Sequence, residues 1–304
     1  MKCRWTVAAM LSMAMLGVLG ASPASACRVR VVAEMPVQME GGRPLAEGRI
    51  DGHPVRFLVD TGASTSALYT SVLPALGLIA YEQESSRLYE TRRTRPTMMS
   101  FVEQLGVGSF RVRGFRFHLL ESDAAQQGVV GRLGSDFFSR YDAEFDFAHK
   151  AIRFLAAEDC LGEEVMYWGG AFSTLPLLAT NPDDHGLFVS AKVNGGPAIA
   201  ELASGVARSV FSVSTARSFG ADPDRGRVRP KTIELDQETI HNGDYPLADL
   251  SPRLREYNTT AYYSNGPLSQ ENLVLGADFF ASHRVLVSQG QRRLYFTYNG
   301  SGSR

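Results

Sequence analysis

Phe57-Leu58-Val59-Asp60-Thr61-Gly62-Ala63-Ser64 drives an apolar run into Asp-Thr-Gly, and a damaged copy, Ala200-Glu201-Leu202-Ala203-Ser204-Gly205-Val206-Ala207, lies 143 residues further on. In each, a hydrophobic strand meets a turn that glycine lets close tightly. The first copy carries a carboxylate at the turn. The second carries Ala203 in its place.

Working outward, the two halves keep matching. Asp51-Gly52-His53-Pro54 corresponds to Asn194-Gly195-Gly196-Pro197, a tight hairpin turn before the strand that enters each loop. Ser66-Ala67-Leu68 corresponds to Ser209-Val210-Phe211. Leu133-Gly134-Ser135-Asp136-Phe137-Phe138 returns as Leu275-Gly276-Ala277-Asp278-Phe279-Phe280 at an offset of 142, and Ala151-Ile152-Arg153-Phe154 as Arg293-Leu294-Tyr295-Phe296. A register held within one residue over so long a span marks an internal repeat. The remaining pattern is strands: Arg28–Ala33, Val55–Val59, Phe110–Leu120 and Ala151–Leu155 are short apolar or alternating runs broken by turn dipeptides. Short helices are expected only at Thr70–Leu78 and Val213–Phe219.

On these residues both halves resemble the aspartic peptidase (acid-protease) fold, and the first resembles the bacterial retropepsin-like group. The resemblance rests on Phe57–Ser64 and on Leu133-Gly134-Ser135-Asp136-Phe137-Phe138-Ser139-Arg140-Tyr141-Asp142. It covers most of residues 45–155 and, more faintly, 187–298. It implies an all-β fold of two homologous acid-protease-like lobes around a central cleft, with Leu133-Gly134 crossing behind the active loop. It also implies that Asp60, Thr61 and Gly62 are catalytic, with the Thr61 hydroxyl bonding across to the partner loop. Leu58, Ala63 and Tyr89 are implied to line the substrate site.

The chemistry needs two carboxylates. At about 3 Å apart they cannot both ionise cheaply, so one holds a proton and acts as acid while the other is base. The second loop keeps a hydroxyl at Ser204 and the turn at Gly205 but has lost its carboxylate at Ala203. Three readings follow. The chain is an aspartic endopeptidase using water activated by Asp60, its second carboxylate coming from Asp60 of a homodimer partner or from Glu201. Glu201 lies two residues before Ala203, on the same strand face; against that stands a Glu at a solvated strand end. Alternatively it is a catalytically silent peptide-binding module, holding an extended peptide strand-wise. In the third reading the second lobe is a regulatory or scaffolding domain.

The flanks concern export. Lys2 and Arg4 precede an apolar run to Gly20 and then Ala24-Ser25-Ala26, which reads as a secretory signal peptide over residues 1–26. The run is short for a membrane span, so a periplasmic or secreted protein with no stable span is expected. Its removal leaves 29 basic against 32 acidic residues, a balance that favours neither nucleic acid nor an anionic membrane surface. Cys27 and Cys160 remain as one even pair, expected to form a disulfide in an oxidising compartment. The organisation expected is a first lobe over 27–160 bearing Asp-Thr-Gly, a linker over 161–186, a degenerate second lobe over 187–300, and a flexible tail over 301–304.

Arg87–Phe101, with Tyr89, Arg92, Arg93 and Arg95, falls where a flap over the cleft belongs. Thr232–Asn242, with Glu234, Asp236, Glu238 and His241, is expected as its acidic counterpart. The six histidines show no ligand spacing and there is no cysteine cluster, so no metal site is expected. No phosphate-cradling glycine loop and no Gly-x-Ser-x-Gly turn occurs, so no cofactor or serine-hydrolase chemistry is expected.

Overall fold

The structure, a computed structural model, describes residues 27–83, 97–121, 128–160, 162–178, 186–219, 226–250 and 272–300. The signal peptide, Tyr89 with the flap arginines, and the tail lie outside them. The first half forms β1 (Arg28–Glu40), β2 (Arg43–Ile50), β3 (His53–Val59), β4 (Ala67–Tyr69), β5 (Ala80–Gln83), β6 (Thr97–Val107), β7 (Phe110–Leu120), β8 (Val129–Leu133), β9 (Asp142–Asp146) and β10 (Ala151–Glu158). The second forms β11 (Ser173–Pro176), β12 (Phe188–Val193), β13 (Gly196–Leu202), β14 (Val210–Ser212), β15 (Arg227–Val228), β16 (Thr232–Leu235), β17 (Glu238–His241), β18 (Tyr245–Ala248), β19 (Leu273–Leu275), β20 (His283–Ser288) and β21 (Arg293–Tyr298). The expected helices are present as single turns: a 3₁₀ turn then Leu73–Leu76, and Val213–Ala216 then a 3₁₀ turn.

The fold is all-β and two-lobed. Strands β2, β3, β8, β4, β7 and β6 follow one another, and β6 pairs back onto β2, so the first lobe closes on itself. The second lobe repeats the order as β12, β13, β19, β14 and β18, with β16 on β12. The matching turns are built alike: Asp51 and Gly52 have φ of 47° and 88°, Asn194 and Gly195 φ of 51° and 78°, the geometry a two-residue hairpin of right-handed twist needs.

A sheet in the order β11-β21-β20-β9-β10-β1 joins the lobes. Ser173–Pro176, inside the segment expected as linker, supplies its edge strand β11. The seam is β9 against β20, where Phe145 pairs with Val285, Glu144 with Leu286 and Ala143 with Val287. At the offset of 142, Glu144 faces its own counterpart, so the pseudo-twofold axis of the repeat passes through that pair. Glu144 is fully buried there. Its carboxylate accepts from Arg153 at 2.5 Å, from Arg284 at 3.0 Å and from the Tyr167 hydroxyl. Burial and then the Glu144 carboxylate push the Tyr167 phenol up to about 12. Arg284 also lies 4.3 Å over the Trp168 ring, so a charge that would be costly alone is enclosed by cations and rings.

The core runs through both lobes. Phe137 and Phe138 of one repeated segment and Phe279 and Phe280 of the other are all buried, each worth roughly 1.5–3 kcal/mol. Phe145 and Phe280 meet across the seam with ring centroids 5.5 Å apart. A disulfide between Cys27 and Cys160 ties the start of β1 to the chain just past β10.

One sequence expectation fails here. Thr232–Asn242 is a hairpin, but it is the counterpart of the turn between β6 and β7. Leu235 pairs with Glu238 as Val107 pairs with Phe110. Both turns meet the joining sheet in the same way: the Glu34 amide donates to Ser109 and the Thr174 amide to Asp236. Glu238 bonds His283 at 2.7 Å, so these acids are no second flap.

Candidate active site

Each loop is held by the strand that enters it and by the glycine segment behind it. The Asp60 amide donates to the Leu133 carbonyl at 2.9 Å, and the Ala63 amide to the Asp60 carbonyl at 3.1 Å. The second loop repeats both bonds, Ala203 to Leu275 at 2.9 Å and Val206 to Ala203 at 3.1 Å. Gly134 crosses so close that a Cβ on it would stand 2.5 Å from the Thr65 carbonyl carbon and 2.8 Å from the Ala63 oxygen. Gly276 is equally tight against Val206 and Arg208. The damaged loop repeats these backbone bonds, but Ala277 stands where the Ser135 hydroxyl donates to the Thr61 carbonyl.

The loops grip each other as the resemblance implies. The Thr61 hydroxyl donates to the Leu202 carbonyl at 2.8 Å and accepts from the Ser204 amide at 3.0 Å. In mirror fashion the Ser204 hydroxyl donates to the Val59 carbonyl at 2.9 Å and accepts from the Thr61 amide at 3.1 Å. Thr61 and Ser204 are both fully buried. Each threads one hydroxyl between two backbone groups of the other loop, so no polar atom of the grip is stranded.

Asp60 is part-exposed and accepts from the Gly62 amide at 3.1 Å through Oδ1. Its carboxylate lies against Gly205, where any Cβ would collide with it. This is the tight approach for which the second loop needs glycine. Ala203 is fully buried and packs with Leu250 and Val274, so the place of the second carboxylate is apolar. Glu201 is also fully buried, on β13 between its pairs Phe188 and Val274. It is therefore not the solvated strand-end Glu of the alternative reading. Leu58, its counterpart, is part-exposed and pairs with Arg132 of β8. Ala63 is buried in the loop.

A further layer was not assigned from the sequence. Asp136 accepts from both the amide and the hydroxyl of Ser66 at 2.7 Å, and that hydroxyl accepts from the Gly134 amide at 2.9 Å. Asp278, Ser209 and Gly276 repeat the set. Burial raises the Asp136 carboxyl above its ordinary value, against the lowering effect of Ser66. The nearby His118 imidazole is lowered, first by burial and, against the raising charge of Asp136, also by Arg132. The signal was present in the sequence: Ser66 recurs as Ser209 at an offset of 143 and Asp136 as Asp278 at 142.

The chain is similar to known proteins in one stretch of sequence and in fold. Residues 46–137 match the family described as aspartyl protease. An aspartic proteinase from Irpex lacteus superposes with a TM-score of 0.53 at 12% identity, over 91% of this chain and 99% of that one. The structure of edgp gives 0.47 at 12% identity, over 89% and 94%. No curated protein matches by sequence.

Proposed function

We propose, on the premise that this chain has the aspartic-peptidase fold, that it holds an extended peptide in the cleft between its lobes and that Asp60 works there as a lone carboxylate. The fold and the aspartyl-protease match support a peptidase role. Within that role, the observation that carries the reading is Ala203, buried against Leu250 and Val274 where an acid is needed. Asp60 can take a proton from water, but nothing at position 203 can protonate or polarise the scissile carbonyl. Losing one acid–base partner costs about 10²–10⁴-fold in rate. Peptide capture with residual hydrolysis is the outcome. A homodimer pairing two copies of Asp60 would first have to displace the grip of Ser204 on Thr61 and Val59.

The test is cleavage of a mixed peptide library from about pH 3 to pH 7 by the wild type, Asp60→Asn and Ala203→Asp. Slow cleavage that vanishes in Asp60→Asn and increases in Ala203→Asp is expected. Turnover that survives Asp60→Asn would overturn the reading. A full aspartic endopeptidase remains the second reading, favoured by the burial of Glu201 two residues before Ala203; loss of cleavage in Glu201→Gln with retained folding would select it. The leader-like residues 1–26 and the Cys27–Cys160 disulfide support export to the periplasm or beyond. Fractionation of expressing cells checks this.

A further inference from the structure

The outer face of the first lobe carries a groove of about 910 Å³ whose walls include Arg49, Arg111 and Arg113. It lies at the far end of β3 from the cleft. Pro54, on its wall, is six residues before Asp60, about 20 Å along the strand. Strand register explains the shape. Arg49 of β2 pairs with Gly106 of β6, and Gly106 pairs with Arg111 of β7. One row across three strands therefore reads arginine, glycine, arginine, and the glycine gives the Arg111 side chain room to lie across the floor. Arg113 follows two residues along β7 on the same face.

Arg49 and Arg111 are fixed in place. Arg111 donates Nη1 to the carbonyls of Gly108 at 2.6 Å and Phe110 at 2.7 Å, and its side chain lies across Gly106 within 3.3 Å of where a Cβ would be. Arg49 donates Nη1 to the Gly52 carbonyl at 2.8 Å. These bonds orient each guanidinium while leaving its other donors for an acceptor. Among the described residues, no ion pair joins a carboxylate to Arg49, Arg111 or Arg113; the one carboxylate on the groove's lining, Glu47, accepts from Gln38. The second lobe is an internal control. Its equivalent row is Lys192, Glu234, Thr239, so an acid takes the place of the glycine next to the one cation.

We infer that this groove is a binding site for an extended acidic peptide segment, separate from the cleft. Arginine forks suit carboxylates. Arg111 and Arg113 stand about 7 Å apart along their strand, the spacing of alternate side chains in an extended peptide. A groove of this volume exceeds one small anion, and Pro36, Pro54 and Val112 give its walls apolar surface for a peptide's carbon atoms. An alternating glutamate–alanine peptide is thus the matching ligand.

The probe is a fluorescein-labelled alternating glutamate–alanine hexapeptide, read by anisotropy at fixed ionic strength, with the glutamine version as control. Saturable binding is expected, weakened about tenfold or more by Arg49→Gln with Arg111→Gln and similarly by Gly106→Glu, which copies the second lobe. Lys192→Gln should bind as the wild type does. Thermal unfolding of each variant checks that it is folded. Equal binding of the glutamine peptide, or unchanged binding in both arginine and glycine variants, would overturn the proposal. So would complete displacement by inorganic phosphate at matched ionic strength, which would mark a small-anion site.

Discussion

Thr61→Val removes a hydroxyl, keeps the β-branch, and cuts one half of the grip. The Thr61 hydroxyl serves two buried groups of the opposite loop, the Leu202 carbonyl and the Ser204 amide. Both would be left without their partner in a site that is closed to solvent. At about 1–3 kcal/mol for each stranded group, the loss is roughly 2–6 kcal/mol. With a urea slope of about 3 kcal/mol per M, a mid-range loss moves the unfolding midpoint down by about 1 M. Ser204→Ala strands the Thr61 amide and the Val59 carbonyl, so its cost should match. The double variant should lose less than the sum, because loops freed by the first change can rearrange before the second. Urea unfolding with the disulfide intact, followed by fluorescence, gives all three values. A Thr61→Val loss below about 0.5 kcal/mol, no larger than an ordinary surface change, would refute the claim that these bonds hold the lobes together.

Gly134→Ala should cost several times more than an exposed glycine-to-alanine change, because its Cβ meets backbone of the active loop at 2.5–2.8 Å; unchanged thermal stability would contradict the close crossing. His118 lies below its ordinary 6.5, chiefly through burial, so as pH falls through 6.5 the unfolded chain takes up the proton before the folded one. Stability should therefore drop on that acid side by at most ~1.4 kcal/mol per pH unit. His118→Gln should make the drop between about pH 7.5 and about pH 5.5 shallower, and equal slopes in urea titrations would remove His118 as the cause.

What could be read from the sequence was whatever the chain states twice. The loops, the hairpins at Asp51-Gly52 and Asn194-Gly195, and the crossing glycines all recur at nearly one offset, and the structure places each where its twin is. Where the halves differ in length, the offset misleads. The assignment of Thr232–Asn242 as a flap failed because register, set by the pairing of β16 with β12, decides which hairpin it is. The apolar surroundings of Ala203 were also hidden. Leu250 lies 47 residues away in sequence and meets it only through the fold. Likewise nothing local in Arg49, Gly106 and Arg111 announces that three strands bring them into one row.

The pairing of Glu144 with Leu286 has a consequence for how such a chain can arise. A symmetric assembly of two identical first halves would set residue 144 of each copy against itself at the axis. Two buried glutamates would then face each other, with one charge repelling its duplicate. Joining the halves in one polypeptide lifts that constraint, since each side of the axis mutates alone. Leucine on one strand and glutamate on the other, with Arg153 and Arg284 closing on the single charge, is an arrangement that two identical halves cannot hold. The same freedom lets one loop give up its aspartate while the other keeps it.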